Sequence, residues 1–112
     1  MSKKVYLKDF VIIRCIVERG EAQKLFDAAQ NVGALAATIY YARGTGIREK
    51  MGLLGIVVEP EKEVVEVAAP KDLADHIFDV MVDTGKLNLP GKGFIYMTQV
   101  TKALTYVPPQ ED

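Results

Sequence analysis

The chain has very little of the chemistry that catalytic and metal-binding proteins depend on. It contains 1 cysteine and 1 histidine among its 112 residues. Cys15 has no partner for an internal disulfide, and His76 with a single cysteine elsewhere gives zinc no set of ligands, so no structural metal is expected. Charge of one sign is missing too: Lys and Arg number 14 against 15 Asp and Glu, a net charge of −1. There is no overall basic field for nucleic acid or anionic lipid, and an anion site must be local. No membrane-length run exists either. The longest uncharged stretch, Ala28 to Ala42, includes Gln30, Asn31 and Gly33 and falls short of the roughly 18 to 20 residues of a span. No apolar segment follows Met1-Ser2-Lys3-Lys4, so a secretory signal is not expected and the cytoplasm is the expected compartment.

What is present reads as one packed domain over residues 1–112. Apolar residues make up 49% and charged residues 26%, with 9 Gly and 5 Pro, an ordinary globular composition. Phe10 to Val17 is β-branched and nearly continuous in apolar character, the pattern of a buried strand. From Glu21 to Val32, Ala22, Leu25, Phe26, Ala29 and Val32 recur at three and four, predicting an amphipathic helix between Gly20 and Gly33. Ala36 to Ala42 reads as a second strand. The order then repeats, with a strand over Val64 to Ala68, a helix from Lys71 to Asp83 opened by Pro70 and closed by Gly85, and a strand over Phe94 to Met97.

Two right-handed strand–helix–strand units side by side predict an α+β, ferredoxin-like fold: a four-stranded antiparallel sheet with both helices on one face. The other face is left bare, and another copy of the chain is its expected cover. The connection from Gly44 to Lys62 is longer than the roughly 12 to 15 residues that a structureless loop normally reaches. Its centre, Met51 to Val58, combines apolar residues with glycine. It reads either as an arm ordered on a partner, with Met51, Leu53, Leu54 and Ile56 as contacts, or as a β-ribbon extending the flanking strands. The proline-broken tail, 108–112, is assigned no structure.

Two glycine-rich turns are the best candidates for a site. Thr84-Gly85-Lys86 with Gly91-Lys92-Gly93 pairs flexible backbone amides with lysine countercharge. The spacing is not that of a Walker A loop, and a helix cap followed by an ordinary turn explains it equally well. Arg43-Gly44-Thr45-Gly46-Ile47-Arg48 flanks glycines with arginines suited to phosphate. Each alone is a turn as readily as a site, whereas together they raise the case for a polyanion. Cys15 lies in a core strand where a thiol is inert, and Asp72, Asp75, Asp79 and Asp83 mark a solvated helix face. No acid–base pair is indicated, and the chain is not expected to be an enzyme.

The element order, Arg43-Gly44-Thr45-Gly46, Glu66 to Pro70, and Thr84-Gly85-Lys86 with Gly91-Lys92 resemble the PII signal-transduction proteins, the nitrogen regulatory P-II family, over nearly the whole chain. The resemblance implies a homotrimeric regulator that senses an adenine nucleotide, ATP, ADP or AMP, between subunits. It makes 44–62 the T-loop that reaches a regulated protein, with a membrane transporter as the first candidate, and 84–92 the B-loop at the phosphates. It places Thr38, Ile16, Glu66 and Ala68 around the base, Gly44, Gly46 and Arg48 at the T-loop foot, and Gly85, Lys86, Gly91 and Lys92 against the phosphates. The chain also departs from the pattern. Thr105-Tyr106-Val107 stands where the family has an arginine pair, Arg48 replaces a glutamine that serves magnesium and 2-oxoglutarate, and no tyrosine lies between Gly44 and Lys62 for uridylylation. These departures mark a divergent, PII-like member. Two other readings compete: a small enzyme of acylphosphatase type and a trimeric metal-tolerance protein of CutA type.

Overall fold

The computed structural model describes residues 3–43 and 61–107. Their elements run β1 (Lys3–Leu7), β2 (Phe10–Glu18), α1 (Ala22–Asn31), β3 (Ala36–Arg43), β4 (Glu61–Pro70), α2 (Ala74–Gly85), β5 (Gly93–Gln99) and β6 (Ala103–Val107). Four strands form one sheet in the order β3-β4-β2-β5, every neighbour antiparallel. This is the interleaved order of a ferredoxin-like fold, because each helix carries the chain past one intervening strand.

Period-two alternation assigns the faces. Val11, Ile13, Cys15 and Val17 of β2 and Val65, Val67 and Ala69 of β4 are buried beneath the helices. α1 brings Ala22, Leu25 and Ala29 to this layer, and α2 brings Ala74, Ile77 and Met81, at the spacing of three and four that puts them on one helical stripe. α1 rests on β3 and β4, α2 on β2 and β4, and the helices touch each other.

The strands and helices expected from the sequence are present, with three differences in extent. Residues 71–73 form a turn, in which the Leu73 amide donates to Pro70 O at 3.0 Å, and the first α-type bond runs from Ile77 to Leu73. The second helix therefore begins at Ala74 rather than Lys71. β4 runs on at both ends because Pro70 pairs with Phe10 and Glu61 with Arg43. Finally, β1 and β6, which the sequence pattern did not reveal, form a separate antiparallel ribbon with Tyr6 opposite Leu104. It continues the β2–β5 pair beyond a bend at Asp9, whose φ of 57° turns the chain out of the sheet.

Candidate functional site

The connections gather at one end of the sheet. Arg43 faces Glu61, Glu18 faces Lys62, and Val17 faces Gly93. β2 and β3 therefore end where β4 and β5 begin, and the start of α1 and the turn before β5 lie at this end of the sheet. The ribbon of β1 and β6 leaves from the opposite end.

The turn from α2 to β5 is built by backbone geometry. Lys86, not Gly85, takes the left-handed conformation, with φ 53°, and the Leu87 amide closes onto Val82 O at 2.9 Å, a Schellman-type stop. Gly85 is buried as the last helical residue, where an added Cβ would sit 3.1 Å from side-chain atoms of Leu25 and Leu87. Gly93 has φ 144°, and a Cβ there would come within 2.6 Å of Ile16 O, so only glycine can begin β5 beside β2. Lys86, Gly91 and Lys92 are exposed.

The strands bring four of the expected site residues onto one surface. Thr38 pairs with Glu66, Ala36 with Ala68, and Ile16 with Val64, so Ile16, Thr38, Glu66 and Ala68 share the face away from the helices. The described residues next to the two glycine-rich segments are less close. Arg43 lies on edge strand β3 and Gly93 on the opposite edge strand β5, about 14 Å apart at the usual spacing between strands. Gly44, Gly46, Arg48, Met51, Leu53, Leu54 and Ile56 lie outside the described residues.

Across this uncovered face runs a polar row absent from the sequence reading. The Tyr40 hydroxyl donates to Glu66 Oε2 at 2.5 Å, and the same oxygen lies 3.3 Å from Arg14 Nε. Arg14 Nη1 donates to the Tyr96 hydroxyl at 2.6 Å, with the guanidinium 5.5 Å from the ring centre and Phe94 stacked beyond it at a tilt. Tyr40's hydrogen bond holds the Glu66 carboxyl below the usual carboxylate range, burial pulls the other way, and Arg14 adds to the lowering. The same bond, with burial, pushes the Tyr40 phenol above its ordinary value. The signal for this row was available: Arg14 and Glu66 interrupt two apolar strands and stand directly opposite each other.

The loop after β2 is already engaged. Oε1 of Glu63, a buried carboxylate, accepts from the Gly20 amide at 2.8 Å and the Ala22 amide at 2.9 Å, capping α1 from 41 residues away. Beside it Arg19 pairs with Glu61 at 3.3 Å on the surface, and a cavity of about 400 Å³ opens among Arg19, Tyr41, Ala42, Arg43 and Glu61. Cys15 is buried, and burial pushes its thiol up to about 12. His76 is exposed on α2, and the described residues hold no cluster of metal-binding side chains.

Comparison with known proteins bears on this geometry. The family model described as Nitrogen regulatory protein P-II matches residues 10–107. Among solved structures, Arabidopsis thaliana PII bound to citrate superposes with a TM-score of 0.64 at 19% identity, covering 83% of this chain and 78% of that one. At this identity the likeness is one of fold. Curated proteins yield no match.

Proposed function

Since the chain belongs to the nitrogen regulatory protein P-II family, whose members are trimeric signalling regulators of partner proteins, we propose that it is a PII-like regulator that binds an adenine nucleotide between neighbouring copies. The ligand would be ADP, AMP or ATP. Binding there would bias segment 44–60 toward or away from a regulated protein, of which a membrane transporter is the first candidate. One observation supports the reading: Arg43, at the start of the first glycine-rich segment, and Gly93, at the close of the second, lie at the same end of the sheet but on opposite edges. In one chain these two positions are three strand spacings apart. Set against each other, the β3 edge of one copy and the β5 edge of the next would bring them together, with Ile16, Thr38, Glu66 and Ala68 on the adjoining face. Lys86 and Lys92 would then meet the phosphates, and Arg43 would stand at the foot of segment 44–60.

The acylphosphatase reading needs free amides in the loop after the first sheet strand to cradle a phosphoryl group. Here Glu63 occupies the Gly20 and Ala22 amides, and its carboxylate would repel an anion. The regulator reading is therefore preferred. Calorimetric titration with ATP, ADP, AMP and cyclic AMP, with and without magnesium and 2-oxoglutarate, alongside light scattering for mass, tests it. Micromolar binding of an adenine nucleotide to a trimer is the expected result. Citrate belongs in the same series, since it is bound to the Arabidopsis protein. Lys86→Ala with Lys92→Ala should weaken nucleotide binding at least tenfold while the assembly persists; an unchanged isotherm would remove this turn from the site.

A further inference from the structure

The cavity of about 400 Å³ lies on the helix side of the sheet, where β3 and β4 run on past the start of α1. Ala37 and Ile39 pack against the core, so by alternation Tyr41 and Arg43 lie on that side too, and Glu61 shares the side of Glu63. They stand beside the start of α1 rather than beneath it, and Tyr41 is 73% exposed. Ile16, Thr38, Glu66 and Ala68 are on the opposite side of the same sheet.

Two guanidiniums and one carboxylate line this cavity. Arg19 Nη1 lies 3.3 Å from Glu61 Oε2, whereas the Arg43 side chain has no ion pair among the described residues. The other nearby carboxylates are engaged, Glu63 by the Gly20 and Ala22 amides and Glu21 by Lys24 at 3.0 Å. One positive charge is left in excess, and it belongs to the arginines, because Glu63 already fills the amides at the start of α1. Both arginines rise from anchored backbone: Glu63 holds the loop that carries Arg19, and Arg43 is paired with Glu61 in the ladder. Guanidinium offers paired donors that match the oxygens of a carboxylate or a phosphate. The rest of the wall is Tyr41 and Ala42, room for an organic body beside the charged end. An exposed ion pair such as Arg19–Glu61 contributes little, so an incoming dianion can displace it.

We propose that this cavity is a separate anion site that takes a compact organic dianion, either a phosphate monoester or a dicarboxylate. Arg43 and Arg19 hold its oxygens, and the Tyr41 ring supports its body. Glu61 is the internal competitor, bound to Arg19 while the site is empty and released from it when the ligand enters. The site does not depend on the nucleotide reading, since none of its residues lies on the open face of the sheet or in the turn from α2 to β5.

Amide NMR of the full chain, titrated separately with phenyl phosphate, succinate and inorganic phosphate, tests this. Saturable shifts at Arg19, Gly20, Ala42 and Arg43 are expected, with an organic dianion bound more tightly than inorganic phosphate. The tighter of phenyl phosphate and succinate names the class. Arg43→Gln should weaken binding about tenfold, the usual scale for losing a charged hydrogen-bonding partner. Glu61→Gln should tighten it about threefold by removing the competitor, as expected for a weak exposed pair. Asp79→Asn removes the same charge from exposed α2 and should leave binding unchanged. Should Arg43→Gln fold poorly by circular dichroism, Glu61→Gln and the wild-type shifts still decide. Lys86→Ala with Lys92→Ala should leave these shifts in place, so the nucleotide reading can fail without this one. Shifts confined to the turn from α2 to β5, or none that saturate by about 10 mM of any probe, would overturn the proposal. Equal affinities for the wild type and Glu61→Gln would overturn it as well.

Discussion

The two faces of the central sheet are made by alternate residues of the same strands, yet they answer to different demands. On the covered face Ile13, Cys15, Val65 and Val67 are fully buried under α1 and α2, and none is charged. On the uncovered face their immediate neighbours Arg14 and Glu66 are an ion pair with about a third of each side chain exposed, flanked by two tyrosines. The covered face is settled by packing within one chain. The other is left open by the helices, and there polar groups alternate with the buried apolar ones, as on a one-sided antiparallel sheet.

That contrast can be broken most directly with adjacent isoleucines of β2. Ile13→Ala removes a fully buried side chain from the interior and should cost about 3 kcal/mol, within the usual range for large-to-small core changes, at every protein concentration. Ile12→Ala, one residue earlier on the uncovered face, should cost under about 1 kcal/mol in dilute solution by the ordinary rule for partly exposed sites. Its effect should grow with concentration as association strengthens. Urea denaturation at two protein concentrations separates them, and equal, concentration-independent losses would erase the distinction between the faces.

Glu63 sharpens the comparison near the end of the interior strand β4, because here a charged residue sits on the covered side. It is tolerated there because its carboxylate takes two amides that α1 would otherwise leave unpaired. Glu63→Ala should destabilise by about 2 kcal/mol, the upper range for loss of a helix cap. Glu63→Gln keeps an acceptor and should recover about half of that. A stability for Glu63→Ala equal to wild type by urea denaturation would mean that water replaces the cap without cost.

The sequence made the covered face readable because packing imposes a period. Alternation along β2 and spacing of three and four along α1 and α2 follow directly from burying one side of each element. Strand order followed from handedness and short connections. The ribbon escaped because Lys3–Leu7 and Ala103–Val107 are short and pair chiefly with each other, and five residues are too few for a period to be read. The end of the second helix was placed at glycine on general preference, whereas packing against Leu25 kept Gly85 helical and moved the left-handed residue to Lys86. Ile16, Thr38, Glu66 and Ala68 could be gathered from the resemblance to PII proteins, and strand pairing does put them on one face. The Arg14 row was signalled only in part: Arg14 and Glu66 interrupt two apolar strands, but that they stand opposite each other depends on register, which strand pairing reveals.

The smallest expected effect is the dependence of the uncovered face on pH, carried by the Tyr40–Glu66 hydrogen bond. Glu66 has a lowered pKa in the folded chain, so its share of the stability is present above about 4.5, its ordinary value, and is lost as pH falls through the folded value. Tyr40 has a raised pKa, so its share is present below about 10.0 and is lost as pH rises through its own folded value. The two signs make a plateau with a fall on either side. Tyr40→Phe removes the bond, and the difference in urea midpoint between wild type and this variant, at one protein concentration, should be greatest from about pH 5 to pH 9 and shrink at both extremes. On the covered face, burial holds the Cys15 thiol neutral up to about 12. A difference that stays flat through both ends would show that the hydroxyl contributes by packing alone.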